Sequence, residues 1–112
     1  LNKLDKEFLH KFIDYVYVHM NNGPVSVESV AADLCMTPKQ LRSKTVAITG
    51  ENPSAYIQKI RLKKAQRMLQ VEPNMSIGEI ALKCGFEDFA YFSRVFKKKY
   101  GVMPSQYRRL PS

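Results

Sequence analysis

A pattern of turn and core residues occurs twice in this sequence. Each copy begins with a serine, continues with small apolar pairs and ends with a Gly-x-x-Pro-x-x-Tyr motif. The matching positions are Ser26 and Ser76, Ala31 and Ala81, Gly50 and Gly101, Pro53 and Pro104, and Tyr56 and Tyr107. The offset rises from 50 residues at the serines to 51 at the glycines, so the second copy has one extra residue. This repeat predicts two similar units, each a short helix, a turn and a longer helix.

The second copy carries the clearer local signals. Ser76 is followed three residues later by Glu79, which is the spacing of a capping box at a helix start. Gly85 can adopt the positive φ that ends the short helix. A longer helix is predicted to begin near Asp88, with an aromatic face formed by Phe89, Phe92, Phe96 and Tyr100. The arrangement predicts a helix-turn-helix whose aromatic side packs inward.

The opposite face of this longer helix is basic. It carries Ala90, Arg94, Lys97 and Lys98, with Tyr91 and Ser93 at its flanks. The net charge of the chain is +8, made up of −2 over residues 1–37 and +10 over residues 38–112. Such a segregated positive charge indicates a polyanionic partner, of which nucleic acid is the most common.

Helical periodicity and capping signals predict an all-α chain throughout. The predicted helices cover residues 5–21, 27–34, 38–49, 53–70, 77–84, 88–100 and 104–110. Thr37 and Pro38 form the start of the third helix, and Gly50 ends it. We expect one domain over residues 1–112, divided into a first unit (1–52), a linker helix (53–70) and a second unit (71–112).

The linker helix raises two questions about basic residues. Arg61 falls within its apolar arc, and an unpaired buried guanidinium is costly, so a carboxylate or carbonyl partner is predicted. On the other side, Lys59, Lys63 and Arg67 recur every four residues without an acid among them. They are expected to repel one another, and either a nearby polyanion or solvent would screen them.

Met103, before the last helix, offers no side-chain cap.

The sequence gives no sign of an enzyme or of a membrane protein. There is no constellation for acid–base or nucleophilic catalysis, no glycine-rich phosphate loop and no metal-ligand cluster, so no cofactor is predicted. No apolar run approaches the roughly 20 residues that span a bilayer. Cys35 and Cys84 each end a short helix, and both are expected to be reduced core residues, with redox sensing as the alternative.

An ordered set of residues in the second copy resembles the signature of the AraC/XylS family of transcription regulators, in their C-terminal DNA-binding domain. The set comprises Ile80-Ala81, Gly85-Phe86, Asp88, residues 91–97, Gly101, Pro104 and Tyr107-Arg108. The resemblance implies about seven helices forming two homeodomain-like helix-turn-helix subdomains joined by the linker helix. Their recognition helices would address successive major-groove segments, about 34 Å apart.

Helical wheels and family positions together select the expected DNA contacts. Residues expected to read bases are Lys39, Gln40, Arg42 and Ser43 on the first recognition helix, and Ala90, Tyr91, Ser93 and Arg94 on the second. Residues expected to bind phosphate are Ser26, Lys44, Ser76, Lys83, Lys97 and Lys98. Arg94 is favoured for guanine, because a guanidinium can donate to both O6 and N7, with a phosphate or carboxylate contact as the alternative.

The wider context is expected to be bacterial, cytoplasmic and nucleoid-associated. The chain begins at Leu1 and not at Met, and we expect it to be the output domain of a longer regulator, of which a two-component or hybrid regulator is one candidate type. Dimerisation, where it occurs, is expected to use regions outside this chain. The alternative function is a basic helical interaction module that contacts RNA polymerase or a partner signalling domain.

Overall fold

The computed structural model describes residues 1–111, and its secondary structure is helical. Seven α-helices follow in order: α1 (Lys3–His19), α2 (Val27–Asp33), α3 (Pro38–Thr49), α4 (Pro53–Val71), α5 (Ile77–Lys83), α6 (Phe89–Tyr100) and α7 (Pro104–Arg109). A single 3₁₀ turn, Met20–Asn22, follows α1. No strand occurs within the described residues, so the predicted all-α fold is confirmed. The observed helix ends lie within two residues of the predicted ones.

The helices form two compact units, and one helix contributes to both. The first unit comprises residues 1–19 and 25–60. The second comprises residues 20–24 and the chain from Arg61 to the end of the described part. The predicted linker helix, now α4, is therefore divided between the two units at residue 60.

The first unit is held together by apolar side chains from four helices. The buried ones are Phe8, Phe12, Val16, Val30, Ala31, Leu41, Ile57 and Ile60. Thr45 is buried beside them, and its hydroxyl donates to the Leu41 carbonyl oxygen at 2.7 Å. The ring of Tyr56, from the repeated motif, meets Phe12 of α1 edge to face with centroids 5.0 Å apart. The repeated tyrosine thus joins the start of α4 to α1.

The second unit has an aromatic core. Its buried members are Leu62, Ala65, Leu69, Ile80, Ala81, Cys84, Phe86, Phe92 and Phe96. Tyr107, the counterpart of Tyr56, lies edge to face with Phe96 at 5.5 Å between centroids. Its hydroxyl accepts from Gln66 Nε2 at 2.6 Å. The short closing helix α7 is thereby joined to α6 and α4.

Two half-buried arginines hold the loops of the second unit. Arg61 Nε donates to the Cys84 carbonyl oxygen at 2.9 Å, and its terminal nitrogen donates to the Gly85 carbonyl oxygen. Its guanidinium carbon lies 4.0 Å from the centroid of the Phe86 ring. The predicted carbonyl partner of Arg61 is confirmed. Arg108 acts similarly, since it donates to the carbonyl oxygens of Glu72 at 3.1 Å and Met75 at 2.7 Å.

The predicted helix caps are present with one correction. The Ser76 hydroxyl accepts from the Glu79 amide at 3.1 Å, but the Glu79 carboxylate accepts from that hydroxyl and closes no reciprocal bond to the Ser76 amide. The capping box predicted there is therefore only half formed, because the hydroxyl and the carboxylate satisfy each other. Met103 makes no side-chain cap, as predicted.

The turn of each helix-turn-helix contains a residue with positive φ. Gly85 has a φ of 86°, and Cys35, at the equivalent position of the first copy, has a φ of 57°. Cys35 is exposed and Cys84 is buried. The prediction that both cysteines pack in the core was wrong for Cys35, because the left-handed turn directs its side chain outward. Burial raises the pKa of the Cys84 thiol to about 11.

Gly85 provides a stability test of this turn. A Cβ at Gly85 would lie 3.1 Å from the Met20 carbonyl oxygen and 3.2 Å from Arg61 Nε. A Cβ at Gly101, with a similar φ of 83°, would meet nothing within 4 Å. We expect Gly101→Ala to lower the free energy of unfolding by about 1 kcal/mol from backbone strain, and Gly85→Ala by about 1–3 kcal/mol more from crowding. Urea unfolding of both variants measures the difference, and equal losses would contradict it.

The two thiols should differ in reactivity. At pH 8, iodoacetamide should modify Cys35 in the folded chain and leave Cys84 unmodified, because a thiol with a pKa near 11 is roughly one part in a thousand thiolate and Cys84 is also buried. Peptide mass spectrometry identifies the labelled site, with the urea-unfolded chain as the control in which both react. Equal labelling of the folded chain would show that Cys84 is accessible.

Candidate nucleic-acid interface

The exposed side of α6 is a basic surface with an apolar end. Ala90, Arg94, Lys97 and Lys98 are exposed, as the sequence predicted. Asp88 caps the helix, because its Oδ1 accepts from the Tyr91 amide at 3.1 Å. Gly101 ends it with a positive φ. Both ends are therefore set by local bonds, and the basic side chains project from a well-defined helix.

A shallow groove follows this side of α6. We call it the α6 groove, and its lining residues are Phe89, Ala90, Ser93, Arg94, Lys97, Lys98, Gly101 and Met103. Its apolar members lie towards the start of α6 and of α7, and its cations lie from the middle of α6 to its last turn. The groove thus offers both apolar contact and positive charge to a ligand.

Phe89 is a correction to the helical wheel. It was predicted to share the buried aromatic face, yet it is 51% exposed. As the first residue of α6 it has only one neighbouring turn, and its ring contacts Phe92 at 6.3 Å between centroids. The other three aromatic residues of that face are buried or half-buried, as predicted.

Ser93 is the second correction. It was expected to read a base, but it is only 7% exposed, and its buried hydroxyl has no hydrogen-bond partner among the described residues. Phe89 and Lys97, one turn away on either side, have longer side chains and line the same groove. A hydroxyl in this position does not reach a base edge, so the structure does not support Ser93 as a base-reading residue.

Arg94 lies beside an aromatic ring. Its guanidinium carbon is 5.6 Å from the centroid of Tyr91, which is 40% exposed. An arginine over the ring of a tyrosine gains a cation–π attraction and loses some of its freedom before a ligand arrives. The two expected base readers Tyr91 and Arg94 therefore form one surface.

The exposed side of α3 differs in character. Lys39, Gln40, Arg42 and Ser43 are all exposed, as expected. The side-chain oxygen of Gln40, however, accepts from the Thr37 amide at 2.9 Å and closes a capping box. Its NH₂ group is the part that remains to contact a ligand.

The expected phosphate-binding residues fall into three groups. Lys97 and Lys98 are exposed, whereas Lys83 is half-buried. Lys44 is half-buried with its ammonium 5.0 Å from the centroid of Phe8, which makes it a poorer phosphate contact than the sequence implied. The hydroxyls of Ser26 and Ser76 accept from amides within their own helices, at 3.0 Å and 3.1 Å, so any phosphate contact there would involve helix amides.

The basic side of α4 includes one ion pair that was not anticipated. Lys59 pairs with Glu51 at 3.3 Å, an acid that precedes the helix. Lys63 and Arg67 are exposed. Only part of the expected repulsion along α4 therefore remains unscreened, and the exposed pair adds little stability.

Two features are absent from the described part of the chain. Among residues 1–111, no group of three or more histidine, cysteine, aspartate or glutamate side chains is arranged to hold a metal ion. No helix in that part of the chain combines the length and apolar character required to cross a membrane.

The chain matches a known protein family. A family model described as a helix-turn-helix domain matches residues 30–110. The chain belongs to the AraC/XylS family of helix-turn-helix domains, as the sequence resemblance predicted. The family is one of transcription-regulator domains and not of enzymes.

Relatives of this chain are larger proteins. It is 38% identical over 87 residues to the HTH-type transcriptional activator RhaR of Salmonella arizonae, in a match covering 78% of this chain and 30% of RhaR. It is 32% identical over 108 residues to histidine kinase P4 of Formosa agariphila, covering 96% of this chain and 8% of that protein. The chain thus spans less than a third of either relative.

Solved structures show the same fold. The C-terminal domain of AraT, a response regulator from Geobacillus stearothermophilus, matches with a TM-score of 0.80 and 33% identity over 94% of this chain and 88% of that one. The DNA-binding domain of AdpA, a global transcriptional factor solved in complex with a target DNA, matches with a TM-score of 0.79 and 26% identity. That match covers 89% of this chain and 88% of the AdpA chain.

Proposed function

We propose that this chain is a sequence-specific double-stranded DNA-binding domain and the output part of a bacterial transcription regulator. The observation that carries the proposal is the exposed side of α6. The helix α6 is capped and is the second helix of a helix-turn-helix, and its exposed side presents Arg94, Lys97 and Lys98. The segment from Phe89 onward contains no acidic residue. Membership of the AraC/XylS family and the likeness to AdpA support this function.

The two helix-turn-helix units each supply one recognition helix. We propose that α3 reads bases through Lys39, Arg42 and Ser43 and through the NH₂ group of Gln40. The helix α6 reads them through Ala90, Tyr91 and Arg94. Lys97, Lys98 and the helix amides near Ser26 and Ser76 contact phosphates and position the protein without reading sequence. Residues 1–112 then act as one DNA-binding domain with two readers.

The regulatory context is part of the proposal. Likeness to the AraT response-regulator domain and to histidine kinase P4 favours an output domain in two-component signalling, including the hybrid type. The site of action is then the bacterial nucleoid in the cytoplasm. RNA polymerase is a further candidate partner, and dimerisation, where it occurs, uses regions outside this chain.

Site selection from a random duplex library tests the main function. We expect a long asymmetric site with two elements, bound about a thousandfold or more tightly than scrambled DNA at moderate salt. Titration at two salt concentrations separates the electrostatic part from the sequence-specific part. Absence of duplex binding would contradict the proposal and favour the protein-interaction alternative. Binding with no sequence preference would contradict its specificity.

Alanine substitutions should assign each helix to one element. We expect Arg94→Ala to cost about 1–3 kcal/mol of binding free energy and to relax the preference at one base pair of one element. Arg42→Ala should relax the other element instead. Competition with single-base variants of the selected site gives both preferences, and Lys99→Ala, outside the expected base-reading set, is the control. Loss of preference in the same element from both variants would contradict the assignment.

The second unit should carry more of the salt dependence. Lys97 and Lys98 are exposed on α6, whereas Lys44 of α3 lies over Phe8. We expect the pair Arg94→Ala and Lys97→Ala to reduce the slope of log affinity against log salt by about 1–2. The pair Arg42→Ala and Lys44→Ala should reduce it by less. A larger reduction from the second pair would contradict this ranking.

A further inference from the structure

We infer that the α6 groove reads thymine, and that Phe89 is the side chain that contacts its C5-methyl group. The inference rests on the proposed DNA binding and adds a specificity-determining residue that the helical wheel had assigned to the core. Phe89 is the first residue of α6 and is 51% exposed. Helical side chains tilt towards the helix start, which on a recognition helix is the end that contacts base edges.

The apolar part of the groove has one natural complement in DNA. Phe89, Ala90 and Met103 give the groove apolar walls, and each is exposed. An exposed phenylalanine gains from burial against another apolar group. In the major groove, thymine alone among the four bases presents a methyl group. The cations beside these residues attract the phosphates that would bring such a methyl group into the groove.

The polar part of the groove restricts the neighbouring base. Arg94, Lys97 and Lys98 can only donate hydrogen bonds. The Ser93 hydroxyl, which could accept one, is buried. The Asp88 carboxylate, which caps α6, does not line the groove. The groove's side chains therefore match the O6 and N7 acceptors of guanine and not the amino groups of adenine N6 or cytosine N4.

Together these features assign a base pattern to the groove. Phe89 at the start of α6 contacts a thymine methyl group, and Arg94, about one and a half turns further along, donates to a guanine. The element read by α6 is thus expected to contain a thymine within one or two base pairs of a guanine.

A methyl deletion in the DNA tests the inference directly. In the selected duplex, each thymine is replaced in turn by deoxyuridine, which removes only the C5-methyl group. We expect one replacement in the element that Arg94 reads to weaken binding of the unchanged chain about fourfold, the equivalent of one buried methyl group. This arm needs no protein variant, so it does not depend on whether a variant folds.

The protein arm closes a double-mutant cycle. Phe89→Ala should bind the thymine and uracil duplexes equally, and Phe89→Leu should restore part of the difference. The control is Leu82→Ala, at a similarly exposed apolar residue of α5 outside the groove, which should keep the full difference. Thermal unfolding of each variant shows that the folded domain is being compared.

The outcomes separate the inference from the proposed function. Specific binding that is indifferent to every uracil replacement, or a fourfold effect that persists in Phe89→Ala, would overturn the role of Phe89 and leave DNA binding standing. A selected element without thymine would do the same. Failure to select any duplex would overturn the proposed function, and this inference with it.

Discussion

The second helix-turn-helix depends on one half-buried guanidinium. The last carbonyl groups of a helix have no partner within the helix, and a buried arginine has donors that need acceptors. Arg61 of α4 meets both needs, because it donates to the carbonyl oxygens of Cys84 and Gly85 immediately after α5. Gly85 permits the approach, since a side chain there would crowd Arg61 itself. Burial lowers the pKa of Arg61 from its usual value, but the bonds to two carbonyl groups favour the charged form.

This contact has consequences for the exposed surface. The turn that Arg61 holds leads directly into Asp88 and α6, so it fixes where the basic side of α6 begins. Arg108 holds the loop before α5 in the same way, through Glu72 and Met75. Two of the basic residues are thus structural, and a third, Lys59, is paired with Glu51. Arg61 and Arg108 therefore count towards the net charge of +8 although their guanidinium groups are occupied by carbonyl oxygens of the chain itself.

Local rules predicted the helices and their caps, because those features depend on neighbouring residues. The carbonyl partner of Arg61 was also predictable, since burial of a guanidinium demands one. The errors concern side chains whose exposure depends on their position in the fold. A helical wheel treats every turn alike, but Phe89 begins its helix and Ser93 lies between longer side chains. Cys35 was misjudged for a related reason, because a left-handed turn sets its exposure and no periodicity records that turn.

The two copies keep the same framework and differ in what they expose. Leu41 and Thr45 of α3 are buried at the positions that Phe92 and Phe96 occupy in α6. The exposed arginines do not follow this register. The counterpart of Arg94 in α3 is Ser43, whereas Arg42, one position earlier, corresponds to the buried Ser93. A shift of one residue rotates a side chain by about 100° around the helix. Relative to the buried face of its own helix, each arginine therefore points in a different direction. If both units bind DNA, they cannot read the same base pattern, and a single chain defines an asymmetric site.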